Sequence, residues 1–245
     1  MKIVNAFWEE RNTGLKTCEI IFEKEDKFQN YLEANIESDF KFSVVKIPLG
    51  DLKLVHQMED YGYRFLENQM TLSFEVDQLV KIDLLGPRLL KGFHCEQITT
   101  RKEMESVLNE VNNNMFETDR FSLDPFWPNG LSSKRYFNWI RELFESEEAQ
   151  FYVIIRDGKG IGFFSIKRES KSTGSCPIAG IYNSFKTAGY IFVLTWFWLH
   201  KSQELGYKKL ITSISSNNRL IISSLSRAFS FRISDTSIVL RKVIN

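Results

Sequence analysis

The chain has few cysteines and no dominant charge. Its three cysteines, Cys18, Cys95 and Cys176, are far apart and show no CxxC spacing, which argues against a disulfide framework and against a zinc site. The 32 Lys and Arg residues nearly balance the 31 Asp and Glu residues. A chain with so little net charge has no global basic field for nucleic acid or an acidic membrane, so any anion site must be local.

The chain also lacks a long apolar segment. Its longest apolar run, Ala188 to Leu199, falls well short of the ~20 residues that span a bilayer. The N-terminus, MKIVNAFWEER, reaches acidic residues too early for a signal peptide. The three histidines share no metal-ligand spacing. These features predict a soluble, cytoplasmic protein with reduced thiols, no bound metal, and neither a membrane nor a nucleic acid as partner.

The first half of the sequence alternates strand and helix patterns. KTCEIIF, FKFSVVKIPL and FLENQMTLSFEV read as strands, with helical spacing between them and Gly62 as a helix stop. We therefore expect a small N-terminal α/β domain over residues 1–85. A segment with a Gly-Pro pair, Asp83 to Gly92, is the expected linker. The sequence shows no internal repeat.

The second half, residues 93–245, follows a different order. A strand leads through a capping-box pattern at Thr100 and Glu103 to two helices, and Asp157-Gly158 is the turn of a hairpin. A further strand then feeds the apolar helix, and strand, helix and strand follow. This order predicts an α/β (α+β) fold with a mixed, mostly antiparallel central sheet flanked by helices.

The turn before the apolar helix carries the first resemblance. Together with the order of elements, it resembles the GCN5-related N-acetyltransferases, which hold the pyrophosphate of acetyl-CoA on a Gln/Arg-x-x-Gly-x-Gly/Ala turn. Unpaired first-turn amides and the helix dipole favour an anion there. The matching residues are Lys186, Thr187, Ala188, Gly189, Tyr190 and Ile191.

Two positions of this turn depart from the pattern. Lys186 keeps a cation but lacks the planar fork of an arginine, and Ile191 puts a branched side chain where a small residue is usual. We expect Ile191 to crowd a bound pyrophosphate. The alternative interpretation is that Thr187 is simply the N-cap of a buried helix.

The resemblance implies further roles. Acetyl-CoA would be the co-substrate, and Gly180, Ile181 and Asn183 on the preceding strand would bind its acetyl carbonyl and pantetheine. Asn218 would contact the cofactor, act as an N-cap, or both. The tyrosine that commonly protonates the leaving thiolate is replaced by Leu225. Ser223 or Ser224 could act through water, the thiolate could leave unassisted, or the protein is not an active enzyme.

A second resemblance rests on NAFWEERNTGLKTCEIIF, YGYRFLENQMTLSFEV and RFSLDPFWPNGLSSKRYFNWI. In this order they resemble bacterial acetyltransferases of nucleotide-linked amino sugars, such as dTDP-fucosamine N-acetyltransferase. The acceptor would then be a small nucleotide sugar, contacted by Arg120, Trp127 and Tyr136.

A competing hypothesis is a binding protein on the same fold with an eroded cofactor turn. Its Trp196, Phe197 and Trp198 cluster would form an interface, for example in a homodimer.

Overall fold

The computed structural model describes residues 1–81, 90–112 and 115–244. The N-terminal half, up to residue 81, contains four strands and three helices. They are β1 (Lys2–Asn5), α1 (Phe7–Thr13), β2 (Thr17–Ile21), α2 (Phe28–Glu33), β3 (Phe42–Pro48), α3 (Leu52–Asp60) and β4 (Arg64–Glu75). The expected linker and the boundary at residue 85 fall mostly on residues 82–89, outside the described residues.

The described part of the C-terminal half contains seven further strands and five helices. They are β5 (Phe93–Ile98), α4 (Arg101–Val111), α5 (Arg120–Leu123), α6 (Leu131–Glu145), β6 (Ala149–Arg156), β7 (Lys159–Arg168), β8 (Thr173–Ser175), β9 (Ala179–Ile181), α7 (Ile191–Glu204), β10 (Lys209–Ser215), α8 (Arg219–Ala228) and β11 (Arg232–Val243).

Local sequence signals form these elements as predicted. Thr100 accepts a hydrogen bond from the Glu103 amide, and the Glu103 carboxylate accepts one from the Thr100 amide, so the capping box of α4 is confirmed. Asp157 and Gly158 have φ angles of 49° and 74°, the left-handed values that a two-residue hairpin turn requires. Gly62, with a φ of 97°, follows Tyr61 at the end of α3.

All the described strands lie in one sheet. Its order is β1-β2-β3-β11-β4-β10-β8-β7-β6-β5, with β9 paired to β7. Only the β2–β3 and β8–β10 pairs are parallel among the described strands. The predicted fold class, a mixed and mostly antiparallel sheet flanked by helices, is confirmed. The two halves nevertheless share strands, because β11 lies between β3 and β4, and β4 lies between β10 and β11.

This exchange reflects a structural repeat that the sequence does not reveal. The unit β3-α3-β4 recurs as β10-α8-β11, and each element of the second unit starts 167 or 168 residues after its counterpart. Both helices begin at a side-chain N-cap, Asp51 in one unit and Asn218 in the other. The sequence shows no internal repeat, so this correspondence is visible only in the structure.

The pairing of β4 with β11 obeys the same symmetry. Gln69 pairs with Ser237 at the centre of the ladder, and the pairs on either side are related by exchange of the two strands. Each strand carries one bulge, which leaves Leu66 unpaired in β4 and Ser234 unpaired in β11. A local two-fold axis therefore passes through the Gln69–Ser237 pair.

Helices cover both faces of the sheet. Helices α7 and α8 pack on one face, where Phe164, Leu194 and Leu210 belong to the largest core cluster. On the other face, α4 and α6 pack over Phe163 and Phe151. Helix α1 joins α6 on this side, because the Asn138 amide donates to Asn12 at 2.8 Å. A cleft remains beneath these helices, where the two halves meet.

Candidate functional site

Two parallel strands of the sheet separate at their carboxyl ends. Strand β8 pairs with β10 from Thr173 to Ser175, and the Cys176 amide still donates to the Ile211 carbonyl at 3.0 Å. Pro177 follows, and proline has no N–H to continue the ladder. Beyond it, β9 pairs with β7 and not with β10. The strand through Ile181 and the strand through Leu210 therefore diverge, which leaves a gap in the sheet.

Backbone groups of β9 face this gap in alternation. The Tyr182 amide donates to Ile161 at 2.9 Å, and the Ser165 amide donates to Ile178 at 3.0 Å. Because residues of an antiparallel ladder alternate, Gly180 shares this side and faces β7, whereas Ala179 and Ile181 point into the gap. The predicted cofactor contact of Ile181 is therefore sterically open, and Ala179 is a residue that the sequence prediction missed.

Gly180 has a packing reason to be glycine. A Cβ atom at this position would lie 2.3 Å from Cε of Met115 and 3.3 Å from the ring of Phe116. Its predicted contact with the cofactor stays a prediction, because its amide is directed at β7. Asn183 lies just beyond β9, exposed, at the start of the turn Asn183–Ala188.

That turn leads directly to the N-terminus of α7. Gly189 has a φ of 69°, and a Cβ there would meet nothing within 4 Å, so glycine is needed for backbone conformation and not for space. The N-cap position is occupied by Tyr190, and none of the described side chains caps the helix. The alternative interpretation expected Thr187 at the N-cap position, whereas the helix begins three residues later. Among the described residues, the first-turn amides of this 14-residue helix have no side-chain partner, although the Phe192 amide donates to the Gly189 carbonyl at 3.3 Å. Such amides suit an anion.

The side chains around the turn divide into two groups. Lys186 is exposed, whereas Tyr190 packs against Phe93 at 5.3 Å and hydrogen-bonds to Arg156, away from the gap. Ala188 lies in the turn Asn183–Ala188. Ile191 is half-buried, contacts the core and lines the cleft. The predicted crowding by Ile191 is consistent with this position and stays a prediction.

The gap opens into a cleft of about 1190 Å³. Both halves of the chain line it, with Glu19, Lys46, Glu67 and Gln69 from the N-terminal half and Ser213 and Ser215 from β10. Such a volume exceeds most small-molecule sites. It can therefore hold the end of a long substrate together with a second molecule.

The cations of this cleft are already neutralised. Among the described residues, seven carboxylates and five cations line it. Arg120 and Lys46 both contact Glu19, at 2.8 Å and 3.1 Å, and Arg135 contacts Glu9 at 2.6 Å. The remaining two pairs are Arg11 with Glu142 and Lys167 with Glu148. Burial alone would raise the pKa of Glu19, but Arg120 and Lys46 outweigh this effect and lower the pKa to about 2.

Two other residues of the cleft are notable. Among the described residues, Glu67 has a carboxylate oxygen without a hydrogen bond, and Tyr136 has a raised pKa. Glu67 is 5 % exposed, and its Oε2 atom has no hydrogen-bond partner among the described residues. Burial raises the pKa of Tyr136, and the nearby carboxylate of Asp119 raises it further, so the phenol stays protonated. The Tyr136 ring lies 4.3 Å from that of Phe116.

The predicted acceptor residues are only partly brought together. Arg120 and Tyr136 line the cleft, but Trp127 does not. Trp127 packs instead against Phe42 and Phe126, at 4.8 Å and 4.7 Å between ring centroids. Arg120 is 8 % exposed and paired with Glu19, so it is not poised to bind a diphosphate.

The far end of the cleft involves α8. Asn218 caps this helix by accepting a hydrogen bond from the Ile221 amide at 3.4 Å, and it also lines the cleft. Both roles predicted for it are therefore geometrically compatible. Leu225 is buried and lines the cleft without offering a proton, whereas Ser223 and Ser224 do not line it.

Within the described ranges no three His, Cys, Asp or Glu residues are placed to hold a metal ion. None of the helices described there is long and apolar enough to cross a membrane.

Comparison with known proteins identifies the fold. No protein-family model matches the sequence, and no curated protein is similar to it. The structure is similar to a GCN5-related N-acetyltransferase from Sphaerobacter thermophilus, with a TM-score of 0.65, 11% identity and coverage of 100% of this chain and 76% of that one. It is also similar to a GCN5-related N-acetyltransferase from Kribbella flavida (TM-score 0.56, 14% identity, 92% and 80% coverage).

A third similar structure is a tandem GNAT protein from the clavulanic acid biosynthesis pathway. The TM-score is 0.57 at 12% identity, covering 94% of this chain and 75% of that one. At such identities the similarity concerns the fold, and the chain has the fold of the GCN5-related N-acetyltransferases.

Proposed function

We propose that the protein is an N-acetyltransferase that transfers acetyl from acetyl-CoA to a primary amine by direct attack. The observation that carries this proposal is the gap between β9 and β10, which runs to the uncapped N-terminus of α7. A fully paired sheet would leave no room for a pantetheine arm. Acetyl-CoA, when bound, would supply an activated thioester.

The chain offers distinct groups for each part of this co-substrate. The amides of Ala179 and Ile181 face the gap and can bind the pantetheine amides or the acetyl carbonyl. The first-turn amides of α7 and the exposed Lys186 suit the pyrophosphate. Gly189 gives the turn its left-handed conformation, and Asn218 can bind at the other wall of the cleft.

A covalent acetyl-enzyme intermediate on Cys176 is disfavoured. Cys176 lies where β8 ends and lines the cleft. Burial raises the pKa of its thiol to about 12, and the nucleophile in cysteine chemistry is the thiolate. Because the thiol stays protonated near neutral pH, direct attack by the acceptor amine is the simpler reaction.

The structural repeat places a similar strand-helix-strand unit in each half of the chain. We nevertheless propose that each chain binds only one acetyl-CoA. In the N-terminal half, β2 pairs with β3 along its whole length, and the Phe22 amide continues the pairing to Lys46 at 2.9 Å. The turn that follows contains Glu23 and Asp26, and the Asp26 carboxylate accepts from the Glu23 amide. A closed ladder and an acidic turn both oppose a second pyrophosphate.

The acceptor proposed from the sequence is a nucleotide-linked amino sugar of the dTDP type. The Tyr136 and Phe116 rings support it, because an aromatic pair at the cleft can stack on a base or sugar. A diphosphate would also need a cation. To bind it, Arg120 would have to break its ion pair with Glu19. A dTDP titration tests this part separately from acetyl-CoA binding.

Calorimetry with acetyl-CoA tests the proposal as a whole. We expect saturable binding to the parent chain and loss of binding in Ile191→Asp, which places a carboxylate beside the pyrophosphate position. Ile191→Leu is the matched control and should bind. Absence of binding to the parent at millimolar acetyl-CoA would refute the proposal and favour the competing hypothesis, a binding protein with an eroded turn.

A further inference from the structure

One oxygen of a buried carboxylate in the cleft lacks a hydrogen-bond partner. Glu67 is 5 % exposed, and no donor among the described residues bonds its Oε2 atom. The Arg120 guanidinium interacts electrostatically with Glu67, but it makes its ion pair with Glu19 at 2.8 Å. A buried oxygen without a hydrogen bond is costly, because it loses its hydration and no donor replaces the water.

The position of Glu67 in the fold explains how it reaches the cleft. It lies beside the bulge at Leu66, where β4 passes the end of β10. Bulges often redirect a side chain next to an active site. The neighbouring Gln69 pairs with Ser215, the last residue of β10, so this part of β4 adjoins the strand that borders the gap.

The symmetry of the fold supplies an internal comparison. Asp235 occupies the equivalent place beside the bulge of β11, and it is exposed and outside the cleft. The bulge by itself therefore does not bury an acidic side chain. Glu67 is buried because the cleft encloses it.

From these observations we propose that Glu67 is a catalytic residue that binds the ammonium group of the acceptor and accepts its proton. The inference rests on the proposed function. A primary ammonium has the positive charge and the three donors that would satisfy the unpaired Oε2 atom of Glu67. Because β4 comes from the N-terminal half, that half completes the acceptor site of the C-terminal half.

The proton balance of the step is complete. The ammonium transfers one proton to the Glu67 carboxylate, and the resulting amine forms a C–N bond to the thioester carbonyl carbon. The C–S bond then breaks, and the thiolate receives the second proton lost by the amine nitrogen. The products are an acetamide and CoA thiol, and Glu67 returns its proton to solvent. No oxidant, reductant or further reactant is required.

An equilibrium experiment tests the binding part without acetyl-CoA. Ethylammonium chloride, with ethanol as its neutral isostere, is titrated into the full chain and followed by heteronuclear NMR. We expect saturable binding of ethylammonium only, weakened roughly tenfold or more in Glu67→Gln and unchanged in the symmetry-matched control Asp235→Asn. Equal affinity in the parent and Glu67→Gln, or no saturable binding to the parent, would overturn the proposal.

A kinetic experiment tests the proton transfer. With ethylamine as acceptor and saturating acetyl-CoA, Glu67→Gln should lower kcat/KM by about 10²–10⁴-fold and leave the Kd of acetyl-CoA unchanged. The parent and Glu67→Gln share the other charged or titratable groups that line this part of the cleft. These are Glu19, Lys46, Asp119, Arg120, Arg135 and Tyr136. Unchanged kcat/KM, or no turnover by a parent that binds both ligands, would overturn this role.

Stability separates catalysis from a structural role. Removal of a buried charge with an unsatisfied oxygen should leave Tm unchanged or raise it, as expected for a residue retained for activity. A lower Tm in Glu67→Gln, together with weaker ethylammonium binding, would identify Glu67 as a structural residue and overturn the proposal. If instead the parent binds ethylammonium but not acetyl-CoA, the proposed function fails and the ammonium site stands.

Discussion

The buried ion pairs around Glu19 allow a quantitative prediction. Arg120 and Lys46 both contact this carboxylate, whose side chain is 14% exposed, and they lower its pKa from 4.5 to about 2. A pKa depression of this size corresponds to about 3 kcal/mol of stability near neutral pH. Glu19→Gln should therefore lower the free energy of unfolding by about 3 kcal/mol, within the range for breaking a buried pair.

The sign of the pH dependence follows from the direction of the shift. Because the pKa in the folded chain lies below that in the unfolded chain, the contribution is present above pH ~4.5 and is lost as the pH falls toward ~2. Urea unfolding measured from about pH 7 down to about pH 3 should show the difference between the parent and Glu19→Gln shrinking across that window.

An exposed pair provides the control. Arg11 and Glu142 are 41% and 42% exposed, so Glu142→Gln should cost about 0–1 kcal/mol. If Glu19→Gln costs no more than this control, or if its cost is the same at both ends of the pH range, the assignment of a stabilising buried pair is wrong. The same variant releases the Arg120 guanidinium, so we expect it to bind dTDP more tightly than the parent does.

Three other predictions concern the proposed acetyl-CoA site at the gap between β9 and β10, and the sheet that both halves of the chain share. Ile191→Ala should strengthen acetyl-CoA binding several-fold in calorimetry, and unchanged affinity would show that Ile191 does not crowd the site. Gly162→Ala places a Cβ 2.6 Å from the Gly180 carbonyl, so β9 must shift toward the gap and acetyl-CoA binding should weaken. Leu240→Ala removes a fully buried side chain of β11 and should cost about 2–5 kcal/mol. Unfolding of this variant should stay a single transition by circular dichroism, since separate transitions would mean that the halves are independent.

Local features of the fold could be predicted because their signals are local. A capping box at Thr100, a hairpin at Asp157 and a helix stop at Gly62 each depend on a few adjacent residues. The order of strands and helices then led to the fold class. The resemblance to acetyltransferases added the turn at Gly189, where the structure does place the start of a helix without a side-chain cap.

The strand exchange could not be predicted in this way. SIVLRKVI reads as a strand whichever neighbour it has, because alternation reports which residues are buried and not what they pair with. The partners of β11 are β3 and β4, more than 150 residues earlier in the chain. The predicted division at residues 1–85 and 93–245 therefore stays a prediction, since both parts contribute to one sheet.

Two site residues were missed for related reasons. The amide of Ala179 faces the gap only because β9 pairs with β7, and this register is not visible in the sequence. Glu67 lies in an alternating segment, RFLENQMTLSFEV, in which a charged residue reads as solvent-facing. Glu67 is buried because it lines the cleft that helices α1 and α6 cover.

The exchange of strands also has a functional consequence. If β4 paired only with strands of the N-terminal half, a hinge motion between the halves would change the distance from Glu67 to the gap beside β9. Its pairing with β10 from Lys209 to Ser215, and with β11 on its other side, fixes it in the same sheet as the gap. The proposed acceptor carboxylate and the proposed acetyl-CoA gap therefore lie in one hydrogen-bonded sheet, as direct attack between two positioned molecules requires. The N-terminal half would thus serve the proposed active site through a strand that cannot move without breaking its pairing with β10 and β11.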